Sequence, residues 1–254
     1  EAWGETIAQA ADTICILFGN VAIDWQKNAD DGRVRKYNAF FAAQNGKFVA
    51  DGSFPYPFRI KTLQPNYREF DDDRHFYSLR KLAQELSTPV DELLQPICVN
   101  IGGRTLKIGA LLCEDGWSDD YSVKPAATLS RRTPLDLLVN LSSSPFTLGK
   151  NDKRHRVFSR QARDAGVPLI YVNNVGIQNN GKTVYTFDGC STVYGRNGDT
   201  LLHCPPFEEQ LAYLFFEELQ LAQATSAVRV PDDRGIDSIY SCLRYGIESF
   251  LEQT

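Results

Sequence analysis

The stretch "IGALLCEDGW", residues 108–117, decides the fold class. Small and aliphatic residues run into Cys113, and two carboxylates, Glu114 and Asp115, follow at once. Such a run predicts a buried strand that ends in polar residues, and α/β sheets place functional side chains at the ends of their strands. From the residues alone, Cys113 could be a buried structural thiol, a metal ligand or a nucleophile.

Apolar runs of the same kind recur on both sides of this stretch. Strands are predicted at 13–23, 97–115 as a hairpin, 134–146, 167–176 and 211–219, with further hairpins at 37–54 and around Asn197-Gly198. Helical spacing is found at 2–11, 75–86, 153–166 and 233–252. Strands that lack a polar alternation predict sheets covered by helices, so the fold class is α/β.

Composition narrows the classes of function. The chain has 254 residues, 43% hydrophobic and 23% charged, with a net charge of -5. That charge gives no general reason to expect nucleic acid or an anionic membrane as a partner, and no apolar run is long enough to span a bilayer. None of the six cysteines forms a C-x-x-C pair, which argues against a zinc site and a disulfide scaffold and favours reduced, cytoplasmic thiols.

Cys113 differs from the other five cysteines, which lie in text typical of a core. Neighbouring carboxylates disfavour the thiolate form of a cysteine in general, so a nucleophile at this place needs a cation as well. Lys61, at the end of the apolar "PFRI" strand, is a candidate, although composition by itself favours a solvated lysine. The three histidines lie in unlike contexts, and no local text supports a Cys-His dyad.

The text "GIQNNGKT", residues 176–183, matches the phosphate-loop pattern G-x-x-x-x-G-K-[ST]. A phosphate loop needs a helix after it, whereas "VYTFDGCSTVY" is typical of strands. Asn-Gly chemistry therefore favours a turn between two strands here.

Several blocks in a fixed order resemble the nitrilase superfamily, and within it the glutamine amidohydrolase domain of glutamine-dependent NAD synthetases. The blocks are "KTLQPNYREFDDDRHF" (61–76), "IGALLCEDGW" (108–117), "LLVNLSSSPFTLGK" (137–150), "ARDAGVPLIYVNNVG" (162–176) and "FDGCSTVYGRNGD" (187–199). The resemblance covers most of residues 13–215. It implies an α-β-β-α sandwich and a Glu-Lys-Cys triad, with Lys61 and Cys113 as the lysine and the nucleophile.

The same resemblance implies a site for L-glutamine. Tyr67, Ser144 and Lys150 match its substrate-binding positions, and no metal is required. The triad glutamate has no matching block, since neither Glu1 nor Glu5 fits its pattern. We therefore expect the first strand, the first helix and this glutamate to precede the chain, and the 254 residues alone to be inactive.

If the chain did hydrolyse glutamine alone, Glu69 and Glu114 would be the first carboxylates to test as the base.

The expected domains are a glutaminase domain at 1–228 and a linker helix at 229–254 that leads toward a synthetase domain. The domain needs no cofactor of its own, and ATP and Mg are expected in the synthetase domain. Ammonia would serve the amidation of deamido-NAD to NAD in a cytoplasmic homo-oligomer. Two alternatives stay open, a free-standing amidase or nitrilase for another carbon-nitrogen bond and a non-catalytic assembly domain.

Overall fold

The structure, a computed structural model, describes residues 2–50, 54–67, 70–179, 181, 183–215, 217, 228, 230, 231 and 233–252. The chain divides into two compact units, Glu1–Leu141 and Ser142–Thr254, and each is described by itself below. Among the described residues, no helix combines the length and the apolar character needed to cross a lipid bilayer.

The first unit alternates strands with short helices. Its strands are β1 (Ile16–Asn28), β2 (Val34–Gln44), β3 (Lys47–Phe48), β4 (Arg59–Ile60), β5 (Ile97–Ile101), β6 (Arg104–Leu112) and β7 (Leu137–Ser142), which reaches the unit boundary. Its helices are α1 (Ala2–Ala10), α2 (Asp72–His75), α3 (Leu79–Glu85), α4 (Val90–Leu93) and α5 (Pro125–Arg132).

Two layers of strands lie face to face in the first unit. In one layer, β2 pairs antiparallel with β1, β3 and β4. In the other, β6 pairs antiparallel with β5 and parallel with β7. Strand β2 lies against β5 and β6, and α5 packs on β6. Gly109 on β6 leaves room for the neighbouring strand β7, because a Cβ at this position would lie 2.5 Å from a methyl of Leu138.

Asn-Gly and Gly-Gly dipeptides close the β2–β3 and β5–β6 hairpins of the first unit, as the sequence predicts. Asn45 and Gly46 have φ values of 53° and 74°, and Gly102 and Gly103 have values of 58° and 79°. A type I′ turn needs positive φ at both central residues, which explains the choice of these residue types.

The second unit begins with a long helix, continues through a series of short strands and ends with a second long helix. Its elements are α6 (Lys150–Ala165), β8 (Leu169–Asn173), β9 (Val175–Asn179), β10 (Val184–Asp188), β11 (Thr192–Tyr194), β12 (Thr200–His203) and α7 (Ile236–Glu252). Strand β11 pairs antiparallel with β8 and β12, and β9 pairs antiparallel with β10. The antiparallel pair β9–β10 confirms that "GIQNNGKT" joins two strands, although residues 180 and 182 lie outside the described part. Helix α6 ends where predicted, at Gly166 with φ 67°.

Three predictions about elements were wrong in part. Strand β1 is present, but only Ala22 in it is buried, because the described strands pair with it on one side alone. The helix predicted at 75–86 begins only at Leu79, where Ser78 caps it by accepting a bond from the Lys81 amide at 3.2 Å, and His75 is the last residue of the separate helix α2. Residues 211–215 form no strand, and Leu211, Tyr213 and Phe215 are exposed. The rest of that prediction falls largely outside the described residues.

Candidate active site

Cys113 lies on a sharp turn directly after β6. It opens a single 3₁₀ turn, Cys113–Gly116, and its φ is 42°. A positive φ is uncommon for a residue other than glycine and persists only where the surroundings enforce it. The side-chain amide of Asn140, on the neighbouring strand β7, donates to the Cys113 carbonyl at 3.3 Å. The turn leaves Cys113 half-buried at the strand end, as the sequence predicts.

Asp115 ties this turn to the segment that follows β4. One of its carboxylate oxygens accepts the backbone amides of Thr62 at 3.0 Å and Leu63 at 2.8 Å, and the other accepts that of Leu112 at 3.1 Å. Burial raises the pKa of Asp115 to about 6 and outweighs the opposing effect of these backbone donors. The residue after Lys61 and the residue before Cys113 are therefore held by one carboxylate.

Lys61 is buried, with 4% of its surface exposed, and so is not the solvated lysine that composition favours. Its ammonium nitrogen lies 2.6 Å from a carboxylate oxygen of Asp72. Burial pulls the pKa of Lys61 down, but electrostatic interaction with Cys113 and Asp72 outweighs it and leaves the pKa above its usual value. Lys61 is thus a permanent cation near Cys113, as a nucleophilic thiol at this place requires.

Glu114 is buried beside Cys113 and is held by two tyrosines. The hydroxyl of Tyr67 donates to one of its oxygens at 2.9 Å and that of Tyr121 to the other at 2.8 Å. Burial and then the Glu114 charge raise the pKa of Tyr67, so its hydroxyl stays a donor. Tyr67 as a whole remains 48% exposed, so it is accessible from solvent. Of the two carboxylates to test as a base, Glu69 lies outside the described residues.

In the second unit, Ser144 and Lys150 begin and end one loop, residues 144–150. The Lys150 ammonium donates to the Pro145 carbonyl at 3.0 Å, so it folds back along this loop. Lys150 is also the first residue of α6, after Gly149 in the left-handed conformation with φ 73°. The structure thus places both predicted residues on one loop, with the Lys150 ammonium next to the residue that follows Ser144.

A buried polar network fixes the backbone of Ser144. Its amide donates to the Asn173 side-chain oxygen at 2.8 Å, and its carbonyl accepts from Asn173 at 3.1 Å and from Arg154 at 3.0 Å. Arg154 and Asp188 form a fully buried ion pair at 2.5 Å. A buried charge pair of this kind is tolerated only with close geometry and satisfied hydrogen bonds, which fixes one conformation of the loop.

Several of these residues were missed by sequence reasoning. Asp72, Asp115 and Asn173 act through contacts with residues distant in the chain, and no local spacing reveals such partners. For Asp115, the sequence offers one signal of a functional role, its position just after Cys113 and Glu114 in the "CED" run. Glu5 lies on the exposed surface of α1. Among the described residues, no three His, Cys, Asp or Glu side chains converge as a metal site would require.

The sequence profile of the carbon-nitrogen hydrolase family matches residues 9–228. This chain belongs to the carbon-nitrogen hydrolase family. The match confirms the resemblance to the nitrilase superfamily and includes the Cys113 turn, the Lys61 segment and the 144–150 loop.

Glutamine-dependent NAD(+) synthetases from several bacteria are similar to this chain. That of Synechocystis sp. is 34% identical over 212 residues, which cover 81% of this chain and 33% of the relative. That of Thermotoga maritima is 35% identical over 163 residues, or 64% of this chain and 24% of the relative. The carbon-nitrogen hydrolase chain thus spans about a third or less of these relatives.

Solved structures confirm the fold. A glutamine-dependent NAD+ synthetase from Acinetobacter baumannii, in complex with ADP, matches with a TM-score of 0.71 and 24% identity over 99% of this chain and 40% of that one. A carbon-nitrogen hydrolase from Helicobacter pylori G27 matches with a TM-score of 0.59 and 20% identity over 82% and 64% of the two chains. The predicted nitrilase-like α/β fold is confirmed.

Proposed function

We propose that the chain is the glutamine amidohydrolase part of a glutamine-dependent NAD synthetase. The observation that carries this proposal is the buried Lys61–Asp72 ion pair next to the Cys113 turn. This pair supplies a buried cation close to a half-buried thiol, which supports a nucleophilic role for Cys113. The names of the relatives supply the substrate and the product.

Cys113 carries out the covalent step. Its sulfur attacks the side-chain carboxamide carbon of glutamine, and a tetrahedral intermediate forms with a negative oxygen. A general base takes the thiol proton and passes it to the nitrogen, so that ammonia leaves and a glutamyl thioester remains. Water then cleaves the thioester to give glutamate and the free thiol. Splitting the hydrolysis in this way avoids direct attack of water on a weakly electrophilic amide.

Of the roles that this reaction requires, the general base is the one with the weakest candidate residue in this chain. In the family resemblance it is a glutamate that matches none of the 254 residues. Glu114 fits that role poorly, because both of its oxygens already accept tyrosine hydroxyls. We assign Glu114 and Tyr67 to the polar end of the substrate instead, where an anion can pair with an ammonium group.

Lys61 stabilises the developing oxyanion. It is charged and buried before substrate arrives, so it needs little reorganisation in the transition state. Loss of one preorganised donor at such a position typically costs about 3 kcal/mol of transition-state stabilisation. Asp72 is the positioning residue that holds the ammonium in place.

Lys150 and Ser144 recognise the remainder of glutamine. A simple amide lacks the α-carboxylate and α-amino groups of glutamine, so selection requires charged partners for them. Lys150 is the cation for the α-carboxylate, and Ser144 supplies polar groups from a loop whose backbone is already fixed.

Ammonia made in this way serves a synthetase portion with bound ATP and Mg, which amidates deamido-NAD to NAD. Residues 1–228 form the glutaminase domain in this proposal, and residues 229–254 lead to that portion. The protein works as a cytoplasmic homo-oligomer. Support for these assignments comes from the relatives' names and from the presence of a helix, α7, within residues 229–254.

The test compares two nitrogen sources in the full-length protein. Cys113→Ala should abolish NAD synthesis from glutamine and leave synthesis from free ammonia at the parental rate. Cys98→Ala, another half-buried cysteine of the first unit, is the control and should behave like the parent. Parental glutamine use by Cys113→Ala would refute the nucleophile. Hydrolysis of simple amides in preference to glutamine, with no NAD formed, would favour a free-standing amidase.

A further inference from the structure

Within the second unit, residues 233–252 contact one end of the 144–150 loop directly and reach the other end through Phe207 and Thr186. We propose that this C-terminal segment is a buttress that sets glutamine affinity by holding the loop, with Asp233 as its principal positioning residue. The inference rests on the proposed function, because it assumes that Ser144 and Lys150 bind glutamine. It goes beyond that function by assigning a role to residues after position 228, the last residue that the family profile matches.

The first contact caps α6. A helix N-terminus leaves backbone amides without partners, and Gly149 at the cap position has no side chain to satisfy them. A carboxylate oxygen of Asp233 accepts the amide of Asn151 at 2.8 Å, and the Asp233 carbonyl accepts that of Gly149 at 3.4 Å. Asp233 therefore caps the helix from a distant part of the chain. It holds the residues on either side of Lys150.

An ion pair strengthens this first contact. Arg234 lies 2.9 Å from the carboxylate of Asp152, in the first turn of the same helix. A Cβ on Gly149 would lie 3.5 Å from the Arg234 side chain, so the two segments pack closely. Two adjacent residues, Asp233 and Arg234, thus bind the first turn of α6 and the glycine that precedes it.

The second contact reaches the other end of the loop through α7. The ring of Tyr245 lies 5.3 Å from that of Phe207, which lies 5.8 Å from that of Phe146. Thr186 makes a parallel connection. Its carbonyl accepts the amide of Phe146 at 2.8 Å, and its hydroxyl lies 3.0 Å from where a Cβ on Gly246 would be.

Both ends of the loop therefore depend on one segment. If the buttress loosens, a smaller fraction of molecules holds Ser144 and Lys150 in the binding arrangement, and the apparent affinity for glutamine falls by that fraction. The chemistry at Cys113 keeps its own neighbours, so the effect is on KM rather than on kcat. A partner that moves α7 would change glutamine affinity by the same route.

The experiment uses Asp233→Ala and Asp233→Asn in the full-length protein. Asp233→Ala should raise KM for glutamine about threefold to thirtyfold, the shift in equilibrium that loss of a helix cap typically produces, with kcat within twofold. Asp233→Asn keeps a side-chain oxygen that can accept the Asn151 amide, so it should restore most of the affinity. Asp237→Ala, an exposed acidic residue at the start of α7, is the control and should leave KM unchanged.

A second pair of variants tests the α7 contact independently of the cap. Gly246→Val should raise KM, because the new side chain must push α7 away from Thr186. Leu243→Val introduces valine at a position of the same helix that is 61% exposed, so it should leave KM unchanged. Equal KM values in Asp233→Ala and Asp237→Ala, or in Gly246→Val and Leu243→Val, would overturn the inference. A failure of the proposed function would show separately, as parental glutamine hydrolysis by Cys113→Ala.

Discussion

The Cys113 turn of the first unit and the 144–150 loop of the second are built on different principles. Around the turn, ionisable side chains are buried together, and the Lys61–Asp72 pair keeps a positive charge beside the thiol. In the loop, the side chains are oriented by a backbone whose amide and carbonyl groups are bonded to buried partners. The first arrangement fits charge that develops during a reaction, and the second fits recognition of a ligand's shape and fixed charges.

This contrast separates the kinetic constants. Interactions that strengthen in the transition state change kcat, whereas interactions made equally with bound substrate and transition state change KM. We therefore expect substitutions in the turn to act on kcat and substitutions in the loop to act on KM.

The largest effect should follow from Lys61→Met, which removes the buried cation but keeps a side chain of similar length. We expect kcat for glutamine hydrolysis to fall about 10²- to 10³-fold, as on removal of one oxyanion donor, with a small change in KM. Lys47→Met, on the exposed surface of β3, is the control. Steady-state ammonia release measures both constants. A rise in KM with no change in kcat in Lys61→Met would contradict the proposed difference between the turn and the loop.

Lys150→Ala should produce the opposite pattern at a lower magnitude. Loss of a charge-assisted bond to the α-carboxylate removes about 1.5–3 kcal/mol of binding, which corresponds to roughly a 10- to 100-fold rise in KM. Alkylation of Cys113 by a small thiol reagent should proceed at the parental rate. Lys153→Ala, an exposed lysine one turn further along α6, serves as the matched control. An unchanged KM would show that Lys150 does not bind the α-carboxylate and serves only as the first residue of α6.

The smallest effect concerns the stability of the loop's own unit at acidic pH. His155, on α6, shares a hydrogen bond of 2.8 Å with the Tyr194 hydroxyl, and its ring lies 5.3 Å from that of His203. Burial, then His203 and Arg154, lower the pKa of His155 to about 4. Between pH 6.5 and 4 the His155 imidazole therefore binds more protons in the unfolded chain than in the folded one, and its contribution to the free energy of unfolding falls as pH falls.

Urea unfolding followed at pH 7.5 and at pH 5 measures this loss. His155→Gln removes the titrating group and should flatten the pH dependence, whereas His75→Gln, outside the second unit, should keep it. The same slope in His155→Gln and the parent would show that the imidazole titrates alike in both states.

Local signals predicted much of the fold. Asn45-Gly46, Gly102-Gly103 and Gly166 mark two hairpins and a helix end correctly, because each fixes a backbone conformation by its own chemistry. Burial was harder to predict. The apolar text of β1 does not make it a buried strand, since burial depends on what packs on both of its sides.

The candidate site was predictable only where chain position and chemistry coincide. Cys113 could be distinguished because it follows an apolar run directly, and its left-handed backbone agrees with that position. The burial of Lys61 and its partner Asp72 depend on how β4 and α2 come together, which no spacing in the sequence reveals. The same holds for Asp233, whose helix-capping role joins residues 82 positions apart.

Direct trapping of the covalent intermediate tests the central claim. The full-length protein is mixed with glutamine, quenched in acid within the first turnovers and digested, and the peptide that contains Cys113 is analysed by mass spectrometry. The account predicts a γ-glutamyl thioester on Cys113 that is absent in Cys113→Ala and unaffected in Cys98→Ala. A glutamyl group on another cysteine, or ammonia release at the parental rate with no thioester on any cysteine, would contradict it.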